Sequence, residues 1–220
     1  MINYSVLKKN NLFKDIEVES LEKILSCLSA KVSFYKRDEF IYMAGENVYF
    51  IGIIMKGKVV ILKEDENGNR NILSEVSLGE MFGEALACAE IEKTSVSVQG
   101  VEDSEVLLID YKKIIKTCSS ACVFHTKLIE NMLKILAMKT IMLNQKIEIV
   151  SKRTIREKLI TFLAAQKDID NSNVFTIPYN REQLSDYLYV DRSAMSRELG
   201  KMRDEGLINF NKSRFEIIHL

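Results

Sequence analysis

Tryptophan is absent from this 220-residue chain, proline occurs once, at Pro178, and histidine twice, at His125 and His219. No GxSxG, HExxH or phosphate-cradling glycine loop is present, so the common serine-hydrolase, zinc-protease and P-loop chemistries have no sequence support, and the chain reads as a non-enzyme. No apolar run approaches the ~20 residues that span a bilayer. The amino-terminal MINYSVLKKNNLF lacks the apolar core of a signal peptide. The cysteines, Cys27, Cys88, Cys118 and Cys122, are too dispersed for a disulfide framework and point to reduced thiols in a cytoplasmic protein without a membrane partner. A charge of one sign is also missing, with 31 basic and 31 acidic side chains. Even residues 151–220 hold only twelve Lys/Arg against ten Asp/Glu. Any binding to a polyanion must therefore come from local placement of charge.

What is present, 47% hydrophobic and 28% charged residues, is the composition of an ordinary folded protein with room for one large or two modest domains. Three regions differ in period. Residues 15–30 read as a helix through Val18, Leu21, Leu25 and Leu28. Residues 32–109 turn to short apolar runs divided by Gly, Asn and acidic residues, including an Asn-Gly hairpin signal within Glu66-Asn67-Gly68-Asn69. Strands at such intervals predict an antiparallel roll.

Residues 111–150 contain no Pro or Gly and predict one long helix. Two rows recur every seven residues: Leu128, Ile135, Met142, Ile149, and Ile129, Leu136, Leu143, Val150. The stripe of Ile129, Leu133, Leu136, Thr140, Leu143 and Ile147 exceeds what a small roll can cover and predicts a coiled-coil seam with a second copy. Cys118 and Cys122 share a face at i, i+4. Burial as small apolar residues is the plain reading; a shared metal or oxidation is the sharper one. The expected division is 1–110, a sensor roll; 111–150, a dimerisation helix; and 151–220, a third domain.

In that last domain, residues 180–218 read as two short helices, a tight turn and a two-stranded wing. Leu184 and Leu188 form one apolar stripe, and Met195, Leu199 and Met202 the next. Asn180 with Gln183 fits a capping box, Asp191 a second N-cap, and Gly206 a helix stop. Arg192, Ser193, Ser196, Arg197 and Lys201 fall on other faces of the second helix, and Lys212 and Arg214 at the wing tip. A guanidinium can read guanine O6/N7 in the major groove, and hydroxyls reach base edges or phosphates, so double-stranded DNA is the expected partner. The plain alternative for such a face is solvation, with pairs such as Arg197–Asp204.

The order of parts, with KGKVVIL at 56–62, LGEMFGE at 78–84 and VDRSAMSRELGKMRDEGLI at 190–208, resembles the CRP/FNR family of bacterial transcription regulators over essentially the whole chain. That resemblance implies an α+β fold: an amino-terminal antiparallel β jelly-roll like cyclic-nucleotide-binding domains, a long dimerisation helix and a carboxy-terminal winged helix-turn-helix. It further implies a homodimer on a pseudo-palindromic operator, with RNA polymerase as a partner and an effector controlling how the heads are presented. Ser196 and Arg197 match the family's base-reading positions, whereas Ser193 stands where many members carry Glu. Tyr189 occupies a turn position where relatives often have Gly.

For the effector, the resemblance places Gly83-Glu84 at the first half of a phosphate cassette. The second half is Lys93-Thr94 instead of Arg-Ser, a point charge without the bidentate fork. Leu143-Asn144 lies near where relatives place Thr-Ser against the base. A cyclic nucleotide is therefore the weaker expectation, beside haem with a gas or redox signal, or a small organic ligand. Met132 accompanies the candidate haem ligands His125, Met138 and Met142 along the same helix, and no other metal site is assigned. The competing function is a ligand-binding module acting through protein partners, with a degenerate DNA-binding head.

Overall fold

A computed structural model of the chain describes residues 2–65, 67–116 and 123–219. Cys118, Cys122 and Glu66 lie outside the described residues. The chain forms two compact units, Met1–Ala137 and Met138–Leu220.

The first unit opens with α1 (Tyr4–Lys9), a 3-10 turn (Asn11–Phe13) and α2 (Val18–Cys27). Eight strands follow: β1 (Lys31–Tyr35), β2 (Phe40–Tyr42), β3 (Phe50–Lys56), β4 (Val59–Glu64), β5 (Arg70–Val76), β6 (Met81–Phe82), β7 (Ser97–Gly100) and β8 (Ser104–Asp110). They make two four-stranded sheets, ordered β1-β8-β3-β6 and β2-β7-β4-β5, in which every pairing is antiparallel. Strand alternation builds two cores at once. Ile51, Ile53 and Met55 of β3 join Leu107 and Ile109 of β8 in a cluster with the helices through Leu21, Ile24, Leu25 and Leu128. Ile54 and Val106 point the other way, into a cluster with Val59 and Val98 of the second sheet. A sheet covered on both faces explains the unbroken apolar run of β3.

Helices α3 (Glu84–Cys88) and α4 (Tyr111–Ile115) flank the roll, and α5 (Val123–Ser151) starts in this unit. The single helix expected over 111–150 is thus corrected. Asp110 caps a five-residue α4, and Lys116 turns extended at φ −86°, ψ 114° before α5 begins at Val123. Buried Asn131 on α5 donates through Nδ2 to the carbonyls of Leu12 at 3.0 Å and Lys14 at 2.9 Å, clasping the amino-terminal segment. Helix α1, capped by Asn3, has too few residues for a periodic signal and was not expected.

The second unit holds the rest of α5, then α6 (Ile155–Asp170), β9 (Val174–Thr176), α7 (Arg181–Leu188), α8 (Arg192–Asp204), β10 (Ile208–Asn211) and β11 (Arg214–Ile217). Its sheet runs β10-β11-β9. Phe162, Leu163, Leu184, Leu188, Met195, Leu199, Met202, Ile208 and Phe215 are sealed in one core. Each fully buried side chain of this size is worth about 1.5–3 kcal/mol relative to exposure.

Candidate nucleic-acid interface and sensor residues

The expected caps all form. Asn180 and Gln183 exchange hydrogen bonds of 2.9 Å in both directions, fixing the first turn of α7. Asp191 Oδ1 accepts from the Ala194 amide at 2.7 Å, starting α8 after a three-residue break. Gly206 stops α8 at φ 75°, a left-handed geometry that glycine adopts without a Cβ clash. Tyr189 ends α7 in the same region, at φ 52°. The turn therefore keeps its left-handed geometry with a bulky side chain in it, at a cost of about 1–2 kcal/mol.

The two sides of α8 could hardly differ more. Met195, Leu199 and Met202 are 0% exposed. Arg192, Ser193, Ser196, Arg197 and Lys201 are all exposed. The pairing of Arg197 with Asp204 does not form, because Asp204 pairs with Arg203 at 3.3 Å. Among the described residues, Arg192, Arg197, Lys212 and Arg214 make no ion pair, while Lys201 sits 3.8 Å from Glu198. An open groove of about 450 Å³ is lined by Asn180, Arg181, Glu182, Arg192, Lys212 and Ser213, so Arg192 and the wing-tip Lys212 come to one surface. Lys212 itself holds the tip of the hairpin at φ 52°.

Residues that sequence reasoning passed over hold this surface in shape. Arg156 of α6 reaches Glu198 at 3.3 Å and grips both carboxylate oxygens of Glu205, tying the middle and the carboxy-terminal end of α8 to α6. The Arg156 hydrogen bond holds the Glu205 carboxyl below its ordinary range. Arg181 lies 4.8 Å from the ring of Phe210 and 5.2 Å from that of Phe215, fastening α7 to the wing. Lys158 donates to the Leu188 carbonyl at 3.0 Å, and Lys146 to that of Tyr187. Two lysines thus meet the negative end of the α7 dipole. Only the charge of these side chains was legible in the sequence; their partners lie 29 or more residues away.

In the sensor unit, Gly83 is left-handed at φ 79° and precedes α3, and a Cβ there would come within 3.1 Å of the Phe50 carbonyl. Glu84 is buried, and burial followed by the Glu84 carboxyl pushes the Tyr42 phenol well above its ordinary value. Lys93 is exposed. Thr94 is buried, its hydroxyl 3.2 Å from both the amide and the carbonyl of Val96 and its backbone paired with Gly45 and Glu46. The Lys93-Thr94 pair thus supplies one exposed ammonium and a hydroxyl already engaged in a turn. Leu143 and Asn144 are exposed on α5.

The candidate haem ligands are not brought together. His125 is buried, with Nε2 donating to the Lys113 carbonyl at 3.1 Å and lying 3.9 Å from Cys27 Sγ. Met138 and Met142 lie farther along α5, about 20 and 25 Å away at the helical rise, and are 56% and 62% exposed. Among the described residues, no group of three or more His, Cys, Asp or Glu could hold a metal ion, and no helix is long and apolar enough to cross a membrane. Of the expected seam, Leu133, Leu143 and Ile147 are 61–63% exposed, and Thr140 is exposed as well. Ile129 and Leu136 are half-buried against the first unit's core.

Comparison with known proteins agrees with this architecture. Residues 32–121 match the family model for a cyclic nucleotide-binding domain, and residues 157–220 that for a Crp-like helix-turn-helix domain, together well over half of the chain. The cAMP-activated global transcriptional regulator CRP of Haemophilus influenzae is 23% identical over 76% of this chain and 74% of its own length. The cyclic AMP receptor protein of Thermus thermophilus is 23% identical over 96% of this chain and 94% of its own. The solved structure of the Thermus thermophilus catabolite activator protein superposes with a TM-score of 0.56 at 20% identity, covering 95% and 94% of the two chains. With an antiparallel nucleotide-binding-type roll, a long helix and a winged helix-turn-helix in this order, the chain belongs to the CRP/FNR family of transcription regulators.

Proposed function

We propose that this regulator binds DNA as a homodimer, laying α8 of each copy in the major groove of a pseudo-palindromic operator. The observation that carries the reading is the division of α8: one face fully buried, the other presenting unpaired Arg192 and Arg197 beside Ser193 and Ser196. Arg197 is assigned the bidentate guanine contact, Ser193 and Ser196 the neighbouring base edges, and Lys201, Lys212 and Arg214 the phosphates. Ser193 lacks the carboxylate that would accept from cytosine N4, so the half-site differs from one read by Glu-bearing relatives. The exposed apolar side chains of α5, Leu133, Leu143 and Ile147, support pairing of two copies along that helix. RNA polymerase is the partner that a regulator of this family would recruit or block.

For the effector we favour a small organic ligand of the β-roll over haem and over a 3′,5′-cyclic nucleotide. His125, Met138 and Met142 do not converge on one point, and Lys93-Thr94 offers a phosphate no bidentate fork. Gel-shift and footprinting against duplexes selected from a random-sequence pool test the DNA reading. Absence of protection at low salt, with or without added candidate effectors, sinks it in favour of a module that works through protein partners. An absorbance spectrum after incubation with haemin, and a thermal-shift titration with cAMP and cGMP, should both show no specific binding.

A further inference from the structure

Gly200 sits at the ninth position of the thirteen-residue α8, a place where glycine is expensive. In a helix interior it costs stability relative to alanine, because the unfolded chain loses more freedom on ordering. Neither usual reason for tolerating it applies. Its φ is not positive, and a Cβ built on it meets no atom within 4 Å. Nothing in the folded chain requires a missing side chain here.

The position explains what the fold does not. Counting from Ser193, residues 196, 197 and 200 are i+3, i+4 and i+7, so Gly200 lies on the surface shared by Ser193, Ser196 and Arg197. The nearby carboxylates of α8 are already engaged: Glu198 with Arg156 at 3.3 Å, and Asp204 with Arg203 at 3.3 Å. A polyanion approaching Gly200 meets bare helix backbone, without an unpaired carboxylate on that helix beside it.

We infer that Gly200 is a positioning residue for duplex DNA: its missing side chain lets the wall of the groove, sugar and phosphate, come against the backbone of α8 and sets how deeply the helix is seated. This rests on α8 being the recognition helix. The general rule is that glycine recurs where a backbone must approach a ligand closely.

The full-length Gly200→Ala protein tests it, with two readouts expected to move in opposite directions. The carboxy-terminal unit should melt about 4–8 °C higher, since alanine relieves the helix penalty. Affinity for a duplex selected by the wild-type protein from a random-sequence pool should fall about tenfold, because a methyl now occupies a packed contact. Affinity for an unrelated duplex of equal length should change less than about twofold, since loose electrostatic binding does not need full seating. A variant that melts higher and binds its selected duplex as well as the wild type overturns the inference. So does a variant that melts lower, which would show that the space at Gly200 is not open. If the wild type selects no duplex at all, it is the recognition-helix reading that has failed.

Discussion

Lys146 of α5 lies with its ammonium 3.3 Å from the ring centre of Tyr187 on α7, and donates to the carbonyl of that same residue. The one cation therefore meets both the aromatic face and the carboxy-terminal end of the first helix of the helix-turn-helix. Burial, reinforced by Lys158, pulls its pKa down, so the ammonium sits in a partly desolvated place. Lys146→Met should remove the cation–π and dipole terms, about 1–2 kcal/mol together. Thermal denaturation should show the carboxy-terminal unit melting roughly 4–16 °C lower. An unchanged melt would mean that the lysine is solvated in solution.

Arg197 and Lys212 should fail in different ways. Arg197→Ala should lose about 1–3 kcal/mol on a preferred duplex and relax specificity at one base pair per half-site. Lys212→Ala should weaken binding nearly uniformly across sequences and reduce the salt slope by about one. Selection from a random pool and anisotropy titrations over a range of salt separate the two. Equal sequence preference for wild type and Arg197→Ala would refute the guanine assignment.

Tyr189 at φ 52° offers a backbone test of the turn. Tyr189→Val should cost about 1–2 kcal/mol, because a β-branched side chain fits the left-handed region poorly. Tyr189→Asn, which tolerates that region, should match the wild type or exceed its stability by up to about 1 kcal/mol. Matching losses for both variants would show that the tyrosine ring matters and the backbone does not.

The seam of α5 predicts an oligomeric phenotype. Leu143→Glu with Ile147→Glu places four like charges along a two-copy interface and should shift sedimentation from dimer to monomer at micromolar protein, with little change in helical circular dichroism. A wild type that sediments as a monomer would remove the basis for this prediction and for the palindromic operator alike.

Acid should loosen the clamp between α6 and α8. The Arg156 hydrogen bond depresses the folded-state pKa of Glu205, so its contribution is present above the ordinary carboxylate range and is lost as pH falls through the folded value. The melting difference between wild type and Glu205→Gln should be present near pH 6 and close as the pH approaches ~3. A constant difference across that window would show that the pairing is screened away. Glu157, held down by hydrogen bonds at the Thr154 cap, changes in the same sense and is common to both proteins.

Much of the recognition surface was legible without coordinates because it is local. Caps at Asn180 and Asp191, the stop at Gly206 and the stripe of Met195, Leu199 and Met202 depend on neighbours within a turn or two of helix. The heptad rows of α5 were equally visible, but their start was not. Nothing in an apolar count marks the end of α4 at Ile115, where the backbone of Lys116 turns extended.

What sequence alone decided, then, is the order of parts and the face each helix exposes, since periodicity, capping and turn chemistry act over a few residues. Tertiary structure decided which distant charges meet: Arg156 with Glu198 and Glu205, Lys146 with Tyr187, Asn131 with the carbonyls of Leu12 and Lys14. Those outcomes depend on folding distant segments together, and a single chain of letters carries no distance between residues so far apart along it.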